Sequence, residues 1–337
     1  MNDLPSQAWL ARPDGTLIFG RGPFTASASP PTEGVAFYLQ RYGLDEARPW
    51  QIPASFERLD ADEFAERNRR HATPQCEWDE LDAGPFAGVF QEVMEAIRRG
   101  VFEKTVPVVV EAGSLVSGTP MDLAAAMTGQ GPPRLSYAWM SGERGFAGAT
   151  PEVLFSLNGA TLKTMALAGT ARREERSVFA VDEKEIREHE YVAQSLVAKL
   201  GDIGHVRRGE RTILDLGMLV HFLSPIEVDL DHPHSPVELI RRLHPTPALG
   251  PLPRTPETLA QLIGWRRRLG CPEEFGAPFG VWDAGRFDAV VAIRGVWWEG
   301  NRLRLPAGCG VIEASRLVNE WRELRLKREA VRRVASA

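Results

Sequence analysis

The spacing of the strand-like runs limits this chain's fold more than any other feature. FSLNGATLK, VWWEGNRLRL and AWLARPDGTLIFGRG each set two β-prone runs on either side of a short turn, the last at Asp14-Gly15. A connection that short reverses the chain but cannot carry it across to a parallel neighbour. Antiparallel pairing follows, and with it an α+β fold in which antiparallel sheets pack against helices. A doubly wound sheet is excluded on the same ground, and no Gly-x-Gly-x-x-Gly follows a first strand.

Further strands are expected in VFEKTVPVVVEA, LSYAWM, EVLFSL, ATLKTMAL, AVVAIRGVWW and RLRLPAG. Phe86, Val89, Phe90, Val93, Met94 and Ile97 recur at helical spacing and stop at Gly100. Other helices are expected over roughly 182–200, 236–243, 256–268 and 316–334. Residues 1–75, with the stretch TASASPPTEG, read as a short N-terminal subdomain or edge, and 76–337 as the main domain.

Composition narrows function. Lys and Arg number 40 against 45 Asp and Glu, a net charge of −5, so no nucleic-acid partner is expected. No apolar run reaches the ~18 residues of a membrane helix, and MNDLPSQAW lacks the pattern of a signal peptide. Cys76, Cys271 and Cys309 are odd in number and far apart, which fits neither a disulfide frame nor a zinc site. A cytoplasmic protein without a membrane partner is the expectation.

Several residues are candidates for chemistry. Alternation puts Lys104 in line with Phe102, Val106 and Val108. Such a lysine snorkels at a sheet edge or is buried beside an anion, and Pro107 favours the edge. Glu152, after Thr150-Pro151, reads alone as a solvent-facing carboxylate at a turn. ALAGTARR is a small-residue turn whose backbone can approach a ligand. In DEKEIREHEYVAQSLVAKL, Glu188 and His189 lie beside the apolar stripe, although a solvated face is the usual place for such charge. Glu320, Glu323 and Lys327 fall at i, i+3 and i+7 of the last helix and share a face. Two carboxylates so placed can bind a hard divalent cation, and the Gly308-Cys309-Gly310 turn lies just upstream; an exposed helix with paired charges gives the same pattern. Arg294 interrupts an apolar run and needs either a bound carboxylate or a structural ion pair. His244 opens the stiff loop HPTPALGPLPR.

Seven segments in order are FEKTV, GATPEVLF, ALAGTARR, DEKEIREHE, HPTPALG, FGVWDAGRF with AIR, and PAGCGVIEAS with NEWRELRLK. Together they resemble the chorismate-utilising enzymes, which include isochorismate synthase, anthranilate synthase component I, aminodeoxychorismate synthase component I and salicylate synthase. The resemblance covers about residues 85–333 and rests on the order and spacing of motifs that are individually weak. It implies a chorismate-binding catalytic domain like that of anthranilate synthase component I, and chorismate as the small-molecule substrate. A lysine at the position of Lys104 marks water-using members, where ammonia-using anthranilate synthases carry glutamine. No obligatory glutaminase subunit is therefore expected. Ala168 stands where aminodeoxychorismate synthases commonly carry lysine, and ALAGTARR most resembles isochorismate synthases of the menaquinone type.

The resemblance further implies a Mg²⁺-dependent isomerisation, in which water attacks C2 of chorismate as the 4-hydroxyl leaves. Lys104 is then the general base and Glu152 the acid for the departing hydroxyl. Glu188 and Glu323 are the implied Mg²⁺ ligands, with Glu320 near the metal. Arg294 and Lys327 clamp substrate carboxylates. Ala168, Gly169, Thr170, Gly308, Cys309 and Gly310 line the site, and His244 lies close to the ring. Lys104 must be neutral near pH 7, a drop of about 3 units from ~10.4, while Glu152 must shift upward. The chain departs from the family in PVVVEAG, where an arginine often follows the lysine, in Thr150 for serine and in Cys309 for alanine. These departures bear on substrate positioning more than on fold. The alternatives are a salicylate synthase, another chorismate-converting enzyme, or a non-catalytic chorismate-binding protein. Menaquinone and siderophore biosynthesis are both open as pathways.

Overall fold

The short turns form the hairpins expected of them. In the computed structural model, which describes residues 6–68 and 73–336, Asn158 pairs with Thr161, Glu299 with Arg302, and Ala11 with Leu17. Gly159, Gly300 and Gly15 make the reversals at φ 57°, 58° and 86°, where a residue without Cβ meets no penalty.

These hairpins extend into one ribbon of 17 antiparallel strands. From one edge it runs Gln75–Trp78, Val108–Ser117, Arg302–Gly308, Gly295–Glu299, Arg144–Thr150, Leu135–Ser141, Gln7–Ala11 and Thr16–Ser27. It continues through Trp50–Asp60, Val35–Leu39, Pro278–Asp283, Arg286–Val291, Val153–Asn158, Thr161–Arg172 and Leu219–Leu230. Gly204–Arg208 and Thr212–Asp215 share the last edge. The ribbon curls on itself, so that Phe146 and Tyr137 of its first half meet Phe279 of its second at centroid distances of 5.6 and 6.0 Å. Trp9, Leu17, Phe37, Val281 and Trp297 complete that core.

Helices cover the outside. Glu183–Leu200 and Pro236–Leu243 set Val192, Leu196, Leu239 and Leu243 against Leu162, Ala166 and Val228. Gly84–Arg98, Pro256–Arg268 and Leu317–Ser336 gather Phe86, Val93, Leu262, Trp265 and Leu324 into a separate cluster. Each such side chain contributes about 1.5–3 kcal/mol on burial, which fixes how the helices' polar sides are aimed. All five expected helices are present. Among the described residues none is long and apolar enough to cross a membrane.

Three expectations need correction. Residues 6–68 do not form a unit apart: Gln7–Ala11 pairs with Leu135–Ser141, and Val35–Leu39 with Pro278–Asp283. The early strands meet their backbone hydrogen bonds through later ones, so the boundary expected at 75 falls inside the ribbon. VFEKTVPVVVEA is not one strand. Pro107, with no N–H to give a ladder, separates Lys104–Thr105 from Val108–Ser117, and the first piece pairs with Val311–Ile312. AVVAIRGVWW also divides, into strands ending at Val291 and starting at Gly295, with Arg294 between them at φ 58°.

Candidate active site

ALAGTARR is not a turn but part of the strand Thr161–Arg172, irregular at Gly169, and that irregularity, the breaks in those two runs and one face of the last helix converge on a cleft of about 690 Å³, its open mouth included. Of the expected site residues, Glu152, Ala168, Gly169, Thr170, Glu188, Arg294, Gly308, Gly310, Glu323 and Lys327 line it. Lys104 and Glu320 stand in contact with that wall from behind. His244 and Cys309 do not reach it.

Lys104 is 0% exposed, not the edge lysine that its pattern favours. Its Nζ donates to Glu188 Oε1 at 2.9 Å, and that carboxylate offsets the several kcal/mol that an unpaired buried ammonium would cost. Gly310 makes room for the pair. A Cβ there would overlap the Glu188 carboxylate and lie 2.8 Å from Lys104 Cε.

Glu152 is also buried, at 4% exposure, rather than facing solvent. Thr246 Oγ1 donates to its Oε1 at 3.1 Å. Burial pushes the carboxyl up to about 7, against the lowering effect of Thr246 and of the charges on Lys104, Arg294 and Lys327. The group thus holds its proton over much of the range in which an ordinary glutamate has lost it.

The shared face of Glu320, Glu323 and Lys327 forms as expected. Lys327 Nζ is 2.5 Å from Glu323 Oε1 and donates to the Gly308 carbonyl at 2.9 Å. A second i,i+3 pair meets it, Glu185 and Glu188 of the Glu183–Leu200 helix. Glu185 was not singled out from the sequence, although the spacing argument applied to Glu320 and Glu323 would have found it. Its Oε2 accepts the Thr170 N–H at 2.8 Å. Lys184 lies 3.0 Å from Glu185 and 3.6 Å from Glu320. Burial and Glu188 raise the proton affinity of Glu185, and burial and Glu323 push Glu320 up to about 7. Burial would raise Glu188 too, but Lys104 and Lys184 outweigh it and hold this carboxyl below its usual range.

This corner fits a hard cation in its donors, which are all carboxylate oxygens. Among the described residues no three His, Cys, Asp or Glu side chains form a ready-made metal cage, and lysines partner the carboxylates instead. Glu320 is the least satisfied of them: it is 1% exposed, Lys184 stands 3.6 Å away, and neither oxygen accepts a hydrogen bond. A buried carboxyl with only one distant lysine beside it is poorly compensated, and a cation would add to that compensation.

Arg294 is positioned by a histidine that no sequence motif marked, because His221 sits in the plain strand Leu219–Leu230. Burial and the Arg294 charge push His221 down to about 3, so it is a neutral imidazole. Its Nδ1–H faces the Gly169 carbonyl at 2.8 Å, which leaves Nε2 to accept from Arg294 Nη2 at 3.2 Å. His244 is spent elsewhere. Its Nε2 is 2.8 Å from the Tyr42 carbonyl, which it serves as donor, and it supports the loop that carries Thr246. Cys309 is wholly buried beside Val311 and Leu324, and burial raises its thiol.

The sequence is 32% identical over 215 residues to isochorismate synthase MenF of Bacillus subtilis, covering 57% of this chain and 43% of that protein. It is 30% identical over 258 residues to the salicylate biosynthesis isochorismate synthase of Pseudomonas aeruginosa, covering 73% and 53%. The chain thus spans about half the length of these curated relatives. The fold matches the Escherichia coli menaquinone-specific isochorismate synthase with a TM-score of 0.84 at 19% identity, over 99% of this chain and 89% of that one. It matches anthranilate synthase component I of Streptococcus pneumoniae with a TM-score of 0.67 at 16% identity, over 98% and 90%. The family model described as chorismate binding enzyme matches residues 46–335, and the chain belongs to that family.

Proposed function

We propose that this chain isomerises chorismate to isochorismate. The observation that carries the reading is a cleft lined by a buried carboxyl held up to about 7, Glu152, with a fully buried amine, Lys104, bonded to Glu188 of its wall. Those are the two proton carriers the reaction needs. Water adds to C2 and gives up a proton towards Lys104, the double bonds shift, and the C4–O bond breaks as Glu152 protonates the departing hydroxyl. One water enters and one leaves, so the product is an isomer. Lys104 takes up that proton as the free amine.

Glu188 and Glu323, with Glu185 and Glu320 beside them, would hold Mg²⁺. The ion, when bound, neutralises the ring carboxylate and draws electron density from the ring. Lys327, tied to Glu323 and the Gly308 carbonyl, presents its ammonium to the same end. Arg294, aimed by His221, binds the second carboxylate. The isochorismate synthase names of the relatives support the same activity. Chromatography of the products formed from chorismate and Mg²⁺, with and without ammonium, tests the reading. Isochorismate as the product in both arms is expected. Salicylate with pyruvate, an aminated product, or unchanged chorismate would overturn it.

A further inference from the structure

Outside the cleft, the turn after the strand Val35–Leu39 and the end of the helix Pro256–Arg268 enclose a separate cavity of about 610 Å³, its open mouth included. Tyr42, Ile263, Cys271 and Pro272 make much of its wall apolar, and the guanidiniums of Arg41, Arg266 and Arg267 stand among them. Asp45 and Glu273 also line it, so the lining carries an excess of one positive charge. None of its residues lines the cleft. Tyr42 stands between the two spaces, its hydroxyl donating at 2.7 Å to the carbonyl of Leu249, a cleft residue.

Arg266 is the group that its surroundings leave unfinished. It is 4% exposed. Its guanidinium stacks on the Tyr42 ring, with Cζ 3.8 Å from the centroid, and Nη2 donates to the Phe275 carbonyl. Nη1 has no hydrogen-bond partner, and among the described residues no carboxylate stands at ion-pair distance from the group. A ring face compensates a buried cation only in part, so this charge is short of a counter-ion. The neighbouring carboxylates are engaged elsewhere. Asp45 and Glu273 each lie 3.5 Å from Arg41, which also has Glu46 at 3.6 Å. Arg267 is exposed and forms no ion pair among the described residues. One buried and one exposed cation thus share a largely apolar cavity with no anion of their own.

We infer that this cavity binds a monocarboxylate with a compact apolar body, its carboxylate held between Arg266 and Arg267. A guanidinium fork matches the two oxygens of a carboxylate. The Tyr42 ring, Ile263 and Pro272 cover the rest of the ligand, and the single excess positive charge suits a monoanion. Neither Mg²⁺ nor turnover enters the test, which is therefore independent of the chorismate reading. Cys271 reports on the cavity, because it is partly exposed in its wall, and Cys76 on the strand Gln75–Trp78 serves as an internal reference. The full chain, in mildly alkaline EDTA buffer, is alkylated with iodoacetamide. Labelling of each cysteine is followed by mass spectrometry in the presence of benzoate or of benzamide, its uncharged counterpart.

Benzoate is expected to slow the labelling of Cys271 and not of Cys76. Its half-maximal effect should come at a concentration about tenfold or more below that of benzamide, the worth of a hydrogen bond to a charged group. Arg266→Gln removes the protection. Arg267→Gln, a surface change that leaves the fold intact, raises the half-maximal concentration severalfold. Equal protection by benzamide and benzoate would reduce the site to an apolar crevice and overturn the assignment. So would an unprotected Cys271, slowing of both cysteines alike, or an Arg267→Gln variant with the wild-type benzoate dependence. That last comparison decides the matter even where Arg266→Gln does not fold.

Discussion

Glu152→Gln separates the acid's chemistry from its cost to the fold. The carboxyl is held at about 7 against 4.5 for a free glutamate. At ~1.36 kcal/mol per unit, the ionised group costs the folded state about 3 kcal/mol. The sign follows from the upward shift: stability is full below 4.5 and is lost as pH rises through 7. Integrating the two titrations gives a cost of about 1 kcal/mol at pH 5 and about 3 kcal/mol at pH 8. Glutamine never ionises, and its Oε1 can still accept from Thr246 Oγ1. The variant should therefore gain on the wild type by about 2 kcal/mol between those two pH values, read from urea denaturation at each. Its turnover should fall by about 10² or more throughout. Wild-type turnover should decline above about pH 7, roughly tenfold per unit, as the acid loses its proton. A stability difference independent of pH, or a glutamine variant with normal kcat, would refute the buried acid.

Lys104→Ala should lose about 10²-fold or more in kcat, with a much smaller change in chorismate KM. It should also lower stability by about 3–5 kcal/mol, since Glu188 is left buried without its partner; normal kinetics with a normal melt would remove both roles. Glu188→Ala and Glu323→Ala should each move the Mg²⁺ activation curve to higher concentration while the circular dichroism spectrum holds, and an unmoved curve in either would misplace the metal. Gly310→Ala should cost about 1–3 kcal/mol in thermal unfolding and reduce kcat, because its Cβ would displace the Lys104–Glu188 pair. A silent alanine there would show that the pair is not held tightly.

Local rules made much of the fold legible. Turn chemistry at Asp14-Gly15, Asn158-Gly159 and Gly300-Asn301 is settled within a few residues, and so is the amphipathic pattern of the Glu183–Leu200 helix. What resisted reading depends on distant partners. Lys104 looks like an edge residue until Glu188, 84 positions away, is brought to it. Glu152 looks exposed until Thr246, 94 positions away, is brought against it. His221 carries no local signal, since its role exists only where Gly169 and Arg294 meet its two ring nitrogens. His244 misled in the opposite sense. The resemblance put it close to the ring, whereas here its own ring serves the Tyr42 carbonyl.

The distribution of charge along the cleft has its own logic. On the last helix, Glu320, Glu323, Lys327, Val331 and Val334 follow at steps of three or four, so one face turns from acidic to basic to apolar. At 1.5 Å per residue, Glu323 and Val331 stand about 12 Å apart along the axis. Glu188, with Lys104 bonded to it, lines the same cleft, and Arg294 shares with Val331 an adjoining cavity as well. A dianion lying along that axis needs positive charge at both ends. In the proposed reading Arg294 would supply it at one end, and Lys327 with a cation held by the glutamates would supply it at the other. Glu152 lies between, where an ionised carboxylate would repel the ligand from the middle. Holding that carboxyl up to about 7 would therefore serve binding as well as proton donation, and the two effects should fade together as pH rises through that value.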